Sequence, residues 1–150
     1  MSVIGLTVRN AGTELYADLS GSNFAPGTNI LIYNLNVGQG GPNGTRNQNW
    51  KFNLVNSDLS QYTIQSVLTG LYASVGKAAA GQAVVSSLTA FTWQVKVVDT
   101  YSSNFVIEVP NTSLVWNVPA GSGATTNVTI AAATNNNKNQ QWTLNDLKAT

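Results

Sequence analysis

Six side chains in this sequence carry a carboxylate: Glu14, Asp18, Asp58, Asp99, Glu108 and Asp146. There is no histidine and no cysteine. Glycoside hydrolysis would need two carboxylates flanking one bond, but these six fall at unrelated places along the chain. Glu14 and Asp18 are four apart on a predicted strand and its end, where they do not converge. Without histidine there is no Ser-His-Asp set, and without cysteine there is neither a disulfide nor thiolate chemistry. No glycine-rich phosphate loop and no metal-ligating cluster occurs. The reactive residues therefore point away from catalysis, and no cofactor or metal is expected.

Amides and hydroxyls are what the chain has in quantity. Nineteen Asn, sixteen Thr and thirteen Ser stand against only 9% charged residues, so neutral polar groups must cover the surface. An amide donates and accepts in one plane, which suits a hydroxyl-rich partner. Seven Lys and Arg are interspersed with six Asp and Glu, leaving no basic stripe for nucleic acid. No apolar run approaches the ~20 residues of a membrane helix, so membrane insertion is not expected. The opening MSVIGLTVRN lacks a basic start and a long apolar stretch. The expectation is a cytoplasmic protein, or one released without a recognisable signal peptide.

The elements that must position these groups come in threes. With 150 residues the chain is expected to form a single domain, built from repeats at about 4–56, 60–99 and 103–147. Each repeat has four short apolar stretches separated by Gly, Asn, Ser or Pro. Leu6-Thr7-Val8, Tyr62-Thr63-Ile64 and Phe105-Val106-Ile107 alternate with period two, as do the stretches around Ile30-Ile32, Val95-Val97 and Val128-Ile130, which reads as strand. Trp50, Trp93 and Trp142, spaced by 43 and 49 residues, each open the fourth strand of a repeat. Twelve strands in three such units predict an all-β closed barrel capped by hairpins. Closure also hides sheet edges that a weakly charged chain would otherwise expose. A β-sandwich is the alternative, but nothing threefold is expected of it.

Gln48-Asn49-Trp50 and Gln140-Gln141-Trp142 form Q-x-W, each preceded by Asn (Asn47, Asn139); the second repeat keeps only the Trp of Phe91-Thr92-Trp93. Upstream stands Leu15-Tyr16-Ala17-Asp18-Leu19-Ser20-Gly21-Ser22. In these features the chain, from Ile4 to about Leu147, resembles the ricin-B-like β-trefoil lectins, most nearly the small cysteine-free ones of mushrooms. The resemblance implies a β-trefoil and binding of terminal galactose or N-acetylgalactosamine on glycoprotein or glycolipid glycans, in a defensive role. It also implies a site built from one repeat: a carboxylate accepting from sugar hydroxyls, an aromatic ring on the apolar sugar face, an Asn donating to a hydroxyl and a Gln orienting the carboxylate. Carried onto the first repeat, these are Asp18, Tyr33, Asn47 and Gln48. The second repeat has Ser74, Ser87, Ala90 and Phe91 instead. The third keeps Asn139 and Gln140 but has Asn117 for the carboxylate and Ala131 for the ring.

Each assignment has a plainer alternative. Asp18 also fits a turn, Tyr33 fits packing, and Asn47 fits a loop amide. The three tryptophans and the Gln of Q-x-W read first as fold determinants. Trp116 lies outside the Q-x-W set and reads as core or interface, or as an exposed binding aromatic. With one complete site, useful avidity requires a homodimer, for which Val115 and Trp116 are the surface candidates. Fold does not establish function, and a protease inhibitor acting through the Gly-rich loop Asn36–Arg46 is the alternative. The set Asp18, Asn47 and Gln48, which an inhibitor has no need of, favours the sugar.

Overall fold

The computed structural model describes residues 3–36 and 45–145. Twelve strands run in the order β1 (Val3–Asn10), β2 (Tyr16–Leu19), β3 (Ile30–Tyr33), β4 (Trp50–Asn56), β5 (Gln61–Ser66) and β6 (Tyr72–Ser74). They continue with β7 (Val85–Ser87), β8 (Thr92–Asp99), β9 (Asn104–Glu108), β10 (Leu114–Asn117), β11 (Thr129–Ala132) and β12 (Trp142–Asn145). Among the described residues the only helical pieces are three 3-10 turns, Ser20–Ser22, Arg46–Gln48 and Lys138–Gln140.

Every pairing is antiparallel. β1 pairs with β4, β4 with β5, β5 with β8, β8 with β9, β9 with β12, and β12 returns to β1. Six strands thus close a barrel with no free edge, which excludes the sandwich. The other six form three hairpins, β2–β3, β6–β7 and β10–β11. The architecture is the β-trefoil expected from the threefold pattern.

The hairpins are tied to one another by a ring of backbone bonds. Ile30 N–H donates to the Val84 carbonyl at 3.0 Å, Val84 N–H to Val128 at 2.9 Å, and Val128 N–H back to Ile30 at 2.9 Å. All three side chains are fully buried. A second set, one step outward, joins Ile32 to Thr126, Ser86 to Thr28 and Ile130 to Gln82. Each hairpin therefore lies against a segment of another repeat.

The tryptophans join barrel to cap. Trp50, Trp93 and Trp142 are buried, and their indole N–H groups donate to the carbonyls of Ala17 at 3.0 Å, Ala73 at 2.9 Å and Trp116 at 3.4 Å. The three acceptors occupy the same place in each repeat. Trp116 thus stands where the first two repeats have alanine, and its bulk breaks the symmetry of the core. Its ring meets Trp93 at 5.6 Å and Trp142 at 5.7 Å, both edge to face. This corrects the reading of Val115 and Trp116 as surface for a dimer: both are fully buried.

Candidate functional site

Strand register fixes which residues correspond between repeats. Asp18 lies opposite Leu31 and Tyr16 opposite Tyr33. Ser74 lies opposite Val85 and Tyr72 opposite Ser87. Asn117 lies opposite Thr129 and Val115 opposite Ala131. The carboxylate position is therefore Asp18, Ser74 and Asn117, and the ring position is Tyr33, Ser87 and Ala131, as the sequence alignment had them.

In the first repeat the structure brings three of the four predicted residues into direct contact. Asn47 Nδ2 donates to Asp18 Oδ1 at 3.0 Å, and Gln48 Nε2 donates to Asp18 Oδ2 at 2.9 Å. The 3-10 turn Arg46–Gln48 makes this possible by turning two successive amides towards the end of β2. Each carboxylate oxygen keeps further acceptor capacity. Asp18, Tyr33 and Asn47 line one cleft of about 390 Å³, with Asp18 and Asn47 buried beneath it and Tyr33 37% exposed at its side. Tyr33 and Leu31, on the same face of β3, supply the cleft's apolar surface.

Two expectations are corrected here. An acceptor for a ligand's hydroxyls, or a turn residue, would be expected at the surface, but Asp18 is only 4% exposed, because the hairpin and the turn close over all but its cleft-facing edge. Burial pushes its carboxyl up to about 6, against the downward pull of the bonds from Gln48 and Asn47. Asn47 was to donate to a hydroxyl of the ligand. Its two amide hydrogens instead serve Asp18 Oδ1 and the Leu19 carbonyl, at 3.0 and 3.3 Å, while its oxygen accepts from the Thr45 hydroxyl. Asn47 acts in this structure as a brace for the carboxylate.

Gln48 has a double task. Besides Asp18, its Nε2 donates to the Asn34 carbonyl at 2.8 Å, and its Oε1 accepts from Asn36 N–H at 2.9 Å. Gln140 repeats this wiring: Nε2 donates to the Ala132 carbonyl at 3.0 Å and to Asn117 Oδ1 at 3.3 Å, and Oε1 accepts from Thr134 N–H at 2.9 Å. The Gln of Q-x-W thus satisfies backbone in both repeats, and in the first it also holds a carboxylate.

Asn139 departs from its counterpart. Asn47 reaches its own repeat's carboxylate, but no bond from Asn139 to Asn117 forms. Its side chain packs against Gly12, where an added Cβ would lie 2.1 Å from Asn139 Oδ1. Its Nδ2 is buried without a partner. The preserved Asn of the third repeat has become a joint with the first.

The sequence reading missed several lining residues: Ser20, Gly21, Asn36 and Thr125. Ser20 and Gly21 stood within the quoted stretch that follows Asp18. Thr125 carried no signal in its own repeat and enters from across the repeat boundary. The loop Asn36–Arg46, the candidate wedge of a protease inhibitor, lies outside the described residues over 37–44. Among the described residues no group of three or more His, Cys, Asp or Glu could hold a metal ion, and no helix is long and apolar enough to cross a membrane.

With this geometry in hand, comparison with known proteins is direct. Residues 46–131 match the model of the ricin-type beta-trefoil lectin domain-like family, and the chain belongs to that family. Among solved structures, the ricin B-like lectin of Macrolepiota procera in complex with lactose is similar over 96% of both chains, with TM-score 0.78 and 24% identity. The Rhizoctonia solani agglutinin is similar over 95% of this chain and 94% of its own, with TM-score 0.79 and 26% identity. ThreeFoil, a designed threefold-symmetric protein, is similar over 95% and 99%, with TM-score 0.77 and 17% identity. No curated protein sequence matches the chain.

Proposed function

We propose that this protein is a non-catalytic lectin that binds terminal galactose or N-acetylgalactosamine through the Asp18 cleft of its first repeat. One observation carries the reading: a buried carboxylate, braced by two amides, opens into a cleft that has an aromatic ring at its side. A fold gains nothing by desolvating a charge that no cation neutralises. A ligand does gain, because hydroxyl groups donating to a carboxylate make charge-assisted bonds about twice as strong as neutral ones. The apolar surface of Tyr33 and Leu31 suits the C–H face of a galactose-type ring. Family membership and the lactose bound by the Macrolepiota procera lectin favour the same class of ligand.

The second and third repeats lack both carboxylate and ring, so we assign one site per chain. A single shallow site binds weakly, and cell-surface glycans reward two linked sites by about 10²–10⁴-fold in avidity. The working form is accordingly a homodimer, with an interface that does not involve Val115 or Trp116. Titration calorimetry with galactose, N-acetylgalactosamine and lactose tests the site, with Asp18→Asn as the control that loses all three. Absence of binding in the wild type, or binding that survives in Asp18→Asn, overturns the reading. Light scattering tests the dimer: a strict monomer that still agglutinates cells would mean that another repeat binds.

A further inference from the structure

The loop that leads into the second strand of each hairpin ends in a residue with positive φ, whose N–H bonds to the hairpin of another repeat. In the first repeat this is Gly27, φ 86°, bonded to the Ser86 carbonyl at 2.7 Å. In the second it is Gly81, φ 88°, bonded to Ile130 at 2.8 Å. In the third it is Thr125, φ 75°, bonded to Ile32 at 2.8 Å. An added Cβ would meet nothing within 4 Å at Gly27 or Gly81. Glycine stands there for its backbone freedom, not for space. A β-branched residue in this conformation is strained, and strain is kept where the surroundings use it.

Each of the three positions faces a different hairpin. Gly27 faces β6–β7 and Gly81 faces β10–β11, which carry Ser74 and Asn117 where β2 has Asp18. Thr125 alone faces β2–β3, and it lines the Asp18 cleft. Its side chain is exposed, and its hydroxyl makes no hydrogen bond among the described residues. The lateral order is fixed by pairing: Asp18 on β2, Leu31 beside it on β3, then the segment around Asn127 on the far edge of β3. Asp18 and Asn127 are thus two strand spacings apart, ~10 Å. Thr125 lies two residues further along, level with Tyr33, so that Asp18 and Thr125 are separated by about 12 Å, wider than one pyranose ring.

We infer that Thr125, supplied by the third repeat, is a specificity-determining residue of the first-repeat site, and that the ligand is a disaccharide or longer. The terminal ring sits on Asp18, and the next ring reaches across β3 to the Thr125 hydroxyl. This rests on the reading of the Asp18 cleft as a sugar site.

The test compares lactose with methyl galactoside by titration calorimetry, in wild type and in Thr125→Val, Thr125→Gly and Thr125→Ser. Thr125→Val keeps the shape and removes the hydroxyl. It should weaken lactose about three- to tenfold, the yield of one neutral hydrogen bond, and leave methyl galactoside within about twofold. Thr125→Ser should keep lactose binding. Thr125→Gly should raise the melting temperature by a few degrees while weakening lactose as Thr125→Val does. If Asp18→Asn abolishes binding of both ligands but Thr125→Val and Thr125→Gly match the wild type on lactose, the inference falls and the Asp18 site stands. If the wild type binds neither ligand, or Asp18→Asn still binds, both fall together.

Discussion

Gln48 and Asp18 are thirty residues apart in sequence and 2.9 Å apart in space. The amide that completes this bond also closes the backbone of the loop after β3, through the Asn34 carbonyl and the Asn36 N–H. Fold and site share one side chain, and substitutions should separate the two roles.

Gln48→Ala and Gln140→Ala remove equivalent backbone bonds. Each should destabilise the protein by about 1–3 kcal/mol, the cost of leaving buried polar groups unpaired. Only Gln48→Ala should also weaken sugar binding, because only Gln48 positions a carboxylate. Denaturant melts and lactose titration of both variants check this. Equal affinities in the two would show that Gln48 does not tune Asp18.

Asp18→Asn removes the charge at nearly constant shape. Binding should fall by about 100-fold, corresponding to the loss of charge-assisted bonds, which takes a weak sugar below detection by calorimetry, with the chain still folded by circular dichroism.

The Asp18 carboxyl, pushed up to about 6 by burial, sets opposite pH trends for binding and stability. The folded protein holds this proton more tightly than the unfolded chain, whose carboxyl titrates at 3.8. Between those values folding takes up a proton, so stability rises as pH falls through 6. Binding uses the ionised form and weakens over the same interval. From pH 7.5 to pH 5 lactose affinity should drop about tenfold while the melting temperature increases. Asp18→Asn should lose this component of the stability trend. A wild-type affinity flat across that range would remove Asp18 from the site.

Gly12→Ala should be strongly destabilising, since the new methyl would overlap Asn139 Oδ1. Asn139→Ala on its own should leave both sugar affinity and melting temperature close to wild type, because it deletes an amide whose Nδ2 has no partner. Combined with Gly12→Ala it should recover part of the loss. A double-mutant cycle measures the coupling, and additivity within about 0.5 kcal/mol would show that the two residues do not meet.

Trp116→Ala should cost about 3–5 kcal/mol, as for other buried tryptophans, despite its place outside the Q-x-W set. Thermal melts decide this. A change within about 1 kcal/mol would return Trp116 to the surface.

The trefoil was legible because its determinants are local and tripled. Period-two strands recur, and Trp50, Trp93 and Trp142 mark one place in each repeat. Asn47 and Gln48 stand at fixed offsets from that mark, whereas Asp18 and Tyr33 came from the family resemblance, and strand register places them at the positions that the resemblance implied. What escaped depends on contacts between repeats. Trp116 taken alone leaves core, interface and exposed aromatic open, and it is settled as core once it is seen to occupy the place of Ala17 and Ala73. Asn139 matches Asn47 by offset, yet it packs against a glycine 127 residues earlier. Thr125 joins a cleft whose carboxylate belongs to another repeat, and only the pairing of β3 with the segment around Asn127 brings them together. Burial of Asp18 was hidden for a different reason: the turn that covers it, Arg46–Gln48, belongs to the same repeat but follows β3, far from Asp18 in sequence.

The wiring of Gln140 bears on how such chains change over time. It braces its loop as Gln48 does, with no carboxylate to hold, so the tripeptide serves the architecture whether or not its repeat recognises anything. A repeat can therefore keep its fold without a carboxylate at its site position. The number of Q-x-W copies in a descendant counts its struts, and the carboxylates must be counted separately.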